Sequence, residues 1–342
     1  MTTGASAPFG VADAVDRLRA PDAPERFSPV AEESLLAVDL AQEGRALHPP
    51  ELAEAADALR RIPAPSIALR GGPLGPGAKH LLEHFDAVVD TATELAVLRE
   101  RIAANPRAAS VLVQLLRDGE TRDVEAGLVA ESLAYSTLQA GPEFATWLAG
   151  HERRPAKTHS EPAVRFWREL DRLHVALNRP EKHNAFSAAM RDDLCEALSL
   201  AVTDESIEEI VLSGAGASFC SGGDLDEFGT LPDPATAHAI RTTRSAARLL
   251  ERCANRVHAT VHGACVGAGI ELPAFAARVT ARADAFVVLP ELTLGLVPGA
   301  GGTVSLPRRI GRQRTARLAL SAERLDAETA RDWGLFDALQ PA

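Results

Sequence analysis

Between His258 and Thr303 two glycine-rich turns each deliver one glutamate, and this pairing limits what the chain can fold into more than any other feature. The first turn reads Gly263-Ala264-Cys265-Val266-Gly267-Ala268-Gly269-Ile270-Glu271. The second reads Pro290-Glu291-Leu292-Thr293-Leu294-Gly295-Leu296-Val297-Pro298-Gly299-Ala300-Gly301-Gly302-Thr303. A strand-like run, His258 to His262, enters the first turn, and an amphipathic stretch, Leu272 to Arg278, leaves it. That order puts small residues at a helix N-terminus, where free backbone N–H groups and the helix dipole favour an anion. Upstream, Ser218-Phe219-Cys220-Ser221-Gly222-Gly223-Asp224 has the same character after the strand-like Ile210 to Ser213. Two backbone donors on one oxygen, with two carboxylates close by, suit chemistry through an enolate: the amides hold the negative oxygen and the carboxylates move protons. Tight backbone packing is the other common use of such glycines.

Four stretches occur in order: Leu177-Asn178-Arg179-Pro180-Glu181-Lys182-His183-Asn184-Ala185-Phe186, then Phe219 to Asp224, Gly263 to Glu271, and Pro290 to Thr303. From about Val164 to Leu339 the chain thereby resembles the crotonase (enoyl-CoA hydratase/isomerase) superfamily. The resemblance implies an α/β fold, a crotonase-like ββα spiral core spanning 156–342. It also implies that the backbone N–H groups of Gly223 and Ala268 form an oxyanion hole and that Glu271 and Glu291 are the acid/base pair. Contacts to the coenzyme A ester are expected from Ser221, Gly222, Asp224, Gly267 and Gly299, with Arg179 and Lys182 as phosphate partners. Phe219 and Phe186 are expected in the core. A homo-oligomer, a trimer or a dimer of trimers, goes with the family.

Two departures stand out. The hydratases usually have glycine where Ala268 stands, so its methyl group narrows the site while keeping the N–H. The family's C-terminal helices, which cover the site and help build trimers, find no counterpart after Trp333-Gly334-Leu335-Phe336-Asp337, and the N-terminal block is expected to replace them. A similar helical extension occurs in the cofactor-independent dihydroxyphenylacetyl-CoA dioxygenase branch, which does not keep the glutamate pair. Water addition or removal through an enolate is therefore the expected activity. Enoyl-CoA isomerisation and dioxygenation are the alternatives within the superfamily, and a non-catalytic interaction module on a crotonase core is the alternative outside it.

The net charge of −11, with no basic run to offset it, argues against nucleic acid as a partner. No apolar run approaches the roughly 18–20 residues a membrane span needs, and Met1 to Gly10 lacks a signal pattern. The four cysteines, Cys195, Cys220, Cys253 and Cys265, show neither CxxC pairing nor metal spacing. The expectation is a cytoplasmic protein with no metal and no separate cofactor, coenzyme A entering as part of the substrate.

Along the chain, Met1 to Ser28 reads as partly disordered, and helical patterns then run from Glu32 through Leu40 and over Glu51 to Arg61. Pro63 to Gly77 reads as a loop, with Ile67 to Leu69 as a possible short strand. A long helix is expected from Lys79 to Ile102, then helices over Ala108 to Arg117 and Val124 to Gln139. Residues 1–155 thus read as a mainly helical extension, with a polar boundary from His151 to Glu161. His80, His84, Tyr135 and Glu131 could face a pocket there, but packing or a rim position is the ordinary role for such residues. Beyond Val164, strands (164–167, 173–177, 210–213, 259–262, 279–280, 286–289) alternate with helices (184–202 and 235–256), the pattern of a layered α/β core.

Overall fold

The computed structural model describes residues 7–31, 33–153 and 161–341. Its strands are β1 (Phe9–Gly10), β2 (Leu36–Asp39), β3 (Ser66–Leu69), β4 (Ala87–Val89), β5 (Val164–Glu169), β6 (Arg172–Leu177), β7 (Glu209–Gly214), β8 (Val257–Val261), β9 (Ala264–Val266), β10 (Arg278–Arg282), β11 (Phe286–Val288), β12 (Leu325–Asp326) and β13 (Ala338–Gln340).

The extension is helix-rich, but a four-stranded parallel sheet, β1-β2-β3-β4, organises it. Each strand is followed by a helix: Val11–Arg19, Pro49–Arg61, Pro76–Leu81 and Ala92–Ala104. Leu36, Val38 and Ala68 pack with Val15, Leu59 and Phe27 in one apolar cluster, whereas Ala37, Ile67, Leu69, Ala87 and Val89 belong to another. With both faces covered, the strands read as continuous apolar runs rather than alternating ones, so periodicity assigns Leu35 to Leu40 to a helix where β2 stands. The long helix expected from Lys79 breaks for the same reason at β4, and Thr91 restarts it with a capping box to Glu94. Phe9 to Arg19 is ordered as β1 and its helix; Met1 to Ser6 lie outside the described residues. Val124–Gln139 is a helix as expected, capped by Asp123. The Gly141-Pro142 stop opens a further helix, Pro142–Gly150, with proline in its first turn.

The second half is the layered α/β core the strand pattern implies. A six-stranded sheet runs β13-β10-β8-β7-β6-β5, parallel except for the β5–β6 hairpin, and a three-stranded sheet runs β12-β11-β9. Three local expectations change. The 184–202 helix begins only at Ala188, because Asn184 has φ 54° and spends its amide on Ala215, Ser218 and Phe219 carbonyls. The 235–256 helix is two helices, Pro234–Thr243 and Ala246–Arg252, broken where Ser245 caps the second. The amphipathic Leu272 to Arg278 run is a single 3-10 turn, Pro273–Phe275, leading into β10; Pro273 ends the short helix Ala268–Glu271.

The apolar core does not divide near residue 155. Leu112, Val113, Leu116 and Leu128 share one cluster with Val304, Leu306 and Leu318. A buried ion pair between Asp86 and Arg117, joined by Arg312 at 3.3 Å, ties the halves together. Residues 154–160 of the expected boundary lie outside the described residues. A chain begun at Glu161 is expected to lose its cooperative thermal transition; a sharp calorimetric melt of that fragment would show that its core closes without the extension.

Candidate active site

Two of the small-residue turns are pressed together. Cys220 pairs with Cys265 in an isolated parallel bridge, and Phe186 pairs with Gly223 in another. A Cβ on Gly269 would lie 2.3 Å from the Cys220 carbonyl oxygen, so only glycine permits this approach. Gly267 has φ 49°, and a Cβ there would lie 2.4 Å from Glu291 Oε1. Gly267→Ala is therefore expected to cost about 1–3 kcal/mol of stability and to displace the Glu291 carboxyl, read as a lower melting temperature and lower turnover; an unchanged melt would sink this account.

The turns present their backbone to one cavity of about 770 Å³. Gly223, Ala268, Glu271, Glu291, Ser221, Gly222, Asp224 and Gly299 all line it. Among the described residues, neither the Gly223 nor the Ala268 N–H donates to a protein acceptor. Gly267, expected to contact the ester, does not line the cavity; it lies against the Glu291 carboxyl instead.

Glu271 is buried, and its Oε2 accepts from the backbone N–H groups of Ala300 at 2.8 Å and Gly302 at 2.9 Å. Burial, then repulsion from Glu291 and Glu131, pushes its carboxyl well above the ordinary range. Burial raises Glu291 to about 8, with Glu131 adding to it. Glu291 Oε2 is buried and has no hydrogen-bond partner among the described residues.

A third carboxylate arrives from the extension. Glu131, on the helix Val124–Gln139, is 2% exposed rather than at a rim. Its Oε1 accepts from the Gly301 N–H at 2.7 Å; its Oε2 accepts from the Thr303 N–H at 2.8 Å and the Thr303 hydroxyl at 2.6 Å. Successive amides thus alternate between two carboxylates: Ala300 and Gly302 serve Glu271, Gly301 and Thr303 serve Glu131. Burial raises Glu131 to about 7, opposed by the Thr303 and Gly301 hydrogen bonds and by Arg241.

Tyr135, one turn further along this helix, also lines the cavity, with the Arg241 guanidinium over its ring at 4.7 Å. His80 and His84 pair with each other, ring centroids 6.2 Å apart, away from the cavity. Phe219 is core, but Phe186 lines the cavity. Arg179 and Lys182 do not line it. Arg179 is buried, donating to the Ala185 carbonyl at 2.8 Å and to Asp224 at 3.0 Å; Lys182 donates to Asp224 at 3.1 Å and Asp226 at 3.0 Å. Both charges are engaged by the carboxylates that follow Gly223. Glu131 and Arg241 are the residues that sequence reading missed; the only signal was a glutamate in step with Leu128, Tyr135 and Leu138 on an apolar helix face.

The enoyl-CoA hydratase/isomerase family model matches residues 173–342, and the chain belongs to that family. It is 37% identical over 168 residues to the 1,2-epoxyphenylacetyl-CoA isomerase of Escherichia coli (strain K12), covering 48% of this chain and 64% of that one. It is 36% identical over 170 residues to the 2,3-dehydroadipyl-CoA hydratase of the same organism, covering 50% and 66%. An enoyl-CoA hydratase structure from Thermoplasma volcanium GSS1 is 34% identical, with a TM-score of 0.49, 53% of this chain and 72% of that chain covered. The chain spans just under two thirds of the length of those two curated relatives. No helix among the described residues is long and apolar enough to cross a membrane.

Proposed function

We propose that this protein adds water to, or removes it from, an acyl-CoA thioester through an oxyanion-stabilised enolate. The observation that carries this reading is the meeting of Glu271 and Glu291 in one cavity with the unengaged amides of Gly223 and Ala268. The two amides polarise the thioester carbonyl of a 2-enoyl ester, each well-placed donor lowering the barrier by roughly 3–4 kcal/mol. One glutamate, as carboxylate, takes a proton from water as its oxygen adds to C3; the other, as carboxylic acid, gives a proton to C2 of the enolate. Elevated pKa values support the acid in this division, because the cluster keeps a proton at neutral pH. Ser221, Gly222, Asp224 and Gly299 then flank the ester. Isomerisation is the second reading, favoured by the third carboxyl: Glu131 gives the site one more group able to bias proton movement along the acyl chain.

Crotonyl-CoA and an arylacetyl-CoA, offered separately, test the reading. Loss of the conjugated thioester absorbance is expected with the first. Oxygen uptake with the second, surviving a Glu271→Gln, Glu291→Gln double change, would replace hydration by oxygenation.

The raised Glu291 pKa also has a stability consequence. Its folded value, about 8, lies above the ordinary glutamate value of 4.5. Stability it contributes is fully present below the lower value and is lost as pH rises through the upper one. Glu291→Gln, which cannot ionise, is expected to melt increasingly above wild type as pH climbs from 5 to 8; a constant difference across that range would refute the shift.

A further inference from the structure

Four arginines line the cavity, and three have acidic partners. Arg191 and Arg244 reach Asp192 at 2.9 and 3.4 Å, and Arg248 reaches Glu125 at 2.5 Å. Arg241, on the helix Pro234–Thr243, has only neutral ones. Its Nε donates to Ser132 Oγ at 3.1 Å, Nη1 to Gln139 Oε1 at 3.2 Å, and Nη2 to the Ser132 carbonyl at 3.2 Å and to Ser136 Oγ. No carboxylate among the described residues lies within ion-pairing distance of it, and one of the two Nη1 hydrogens has no acceptor among them. Four bonds hold this guanidinium in place and none neutralises it. A cation fixed so at a cavity wall, with one N–H still open, is built to donate to an anion such as a carboxylate.

Its place in the cavity selects which anion. Arg241 lies over the Tyr135 ring, and that ring lies against Gly299, where a Cβ would meet it at 2.4 Å. Gly299 adjoins Ala300, whose amide holds Glu271. Contacts therefore link Glu271, through Ala300 and Gly299, to Tyr135 and then to Arg241, on the side of the glutamates that Tyr135 walls. Leu128, Phe144 and Phe228 give the cavity apolar wall suited to a hydrocarbon chain.

We propose that the acyl group of the substrate ends in a carboxylate, which Arg241 receives beside Tyr135. This rests on the acyl-CoA reading above, and binding of unreactive saturated thioesters separates the two. Adipoyl-CoA and hexanoyl-CoA have the same chain length and differ in the terminal carboxylate. By titration calorimetry the wild-type protein is expected to bind adipoyl-CoA about tenfold or more tightly than hexanoyl-CoA. In Arg241→Gln the two affinities are expected to converge to within about threefold, with Arg241→Lys intermediate. Equal affinities in the wild type overturn the proposal without any variant, so it does not depend on how the variants fold. The phosphates of coenzyme A are the other source of anion, and the corresponding pantetheine thioesters lack the nucleotide. Preference for the adipoyl group is expected to persist in them. If Arg241→Gln instead weakens both CoA thioesters equally and neither pantetheine thioester, the guanidinium serves phosphate and the proposal fails. Binding of neither CoA thioester would remove the acyl-CoA reading, and this inference with it.

Discussion

Replacing Glu271 with glutamine is expected to lower kcat of the proposed reaction about a hundred- to ten-thousandfold, because a positioned acid/base group contributes on that scale. The substitution nearly preserves shape. Its amide oxygen can still accept from the Ala300 and Gly302 N–H groups that now converge on Oε2, so the loop should hold its place. What is lost is the exchangeable proton. Buried in the wild type, Glu271 keeps that proton at a pH where an exposed glutamate would have shed it. Glu291→Gln is expected to fall in the same range, and the double change to cost little more than either alone, since residues that act as a unit are strongly non-additive. Steady-state kinetics on all three variants checks this, with circular dichroism to establish that they fold. A Glu271→Gln protein retaining more than about a tenth of wild-type turnover would exclude this glutamate from proton transfer.

Glu131→Leu is the second change with a large expected effect, and it acts through a different part of the chain. It leaves the Gly301 and Thr303 amides and the Thr303 hydroxyl without their acceptor, each buried donor costing about 1–3 kcal/mol when unsatisfied. The apolar replacement recovers some of that, and about 3 kcal/mol of net destabilisation is expected. Turnover should drop even at temperatures where the variant is fully folded, because the amides on either side of Gly301 orient Glu271. Comparing kcat with the folded fraction across a melt separates the two effects. Activity per folded molecule equal to wild type would reduce Glu131 to a stabilising residue. Glu131→Gln is the gentler probe: it keeps the volume but sets an NH₂ group toward a backbone N–H that needs an acceptor.

The chemistry of the second half was legible because it is written in local motifs. Gly267 and Gly269 are required by contacts within a few ångströms of the turns they belong to, and the glutamates follow them at short range. The first half was harder to read. β2 and β3 are buried on both faces, so Leu36 to Leu40 lacks the alternation that separates a strand from a helix. The partner of Arg179 is not legible in its motif, because a charge gives no account of what it meets; Asp224, 45 residues away, is what it reaches. Glu131 carried the weakest signal. Its donors lie 170 and 172 residues further along, and only the folded chain brings them together.

The alternation of amides between Glu271 and Glu131 works as a vernier. Neighbouring amides of one turn, Ala300 to Thr303, are keyed alternately to carboxylates from different halves of the protein. A slip of the Val124–Gln139 helix by one residue would turn the Glu131 side chain about 100° around the helix axis, away from the amides it serves. The described part of the extension is thereby held in one registration with the second half, and an insertion in that helix upstream of Glu131 should silence the site without touching any residue near it in sequence.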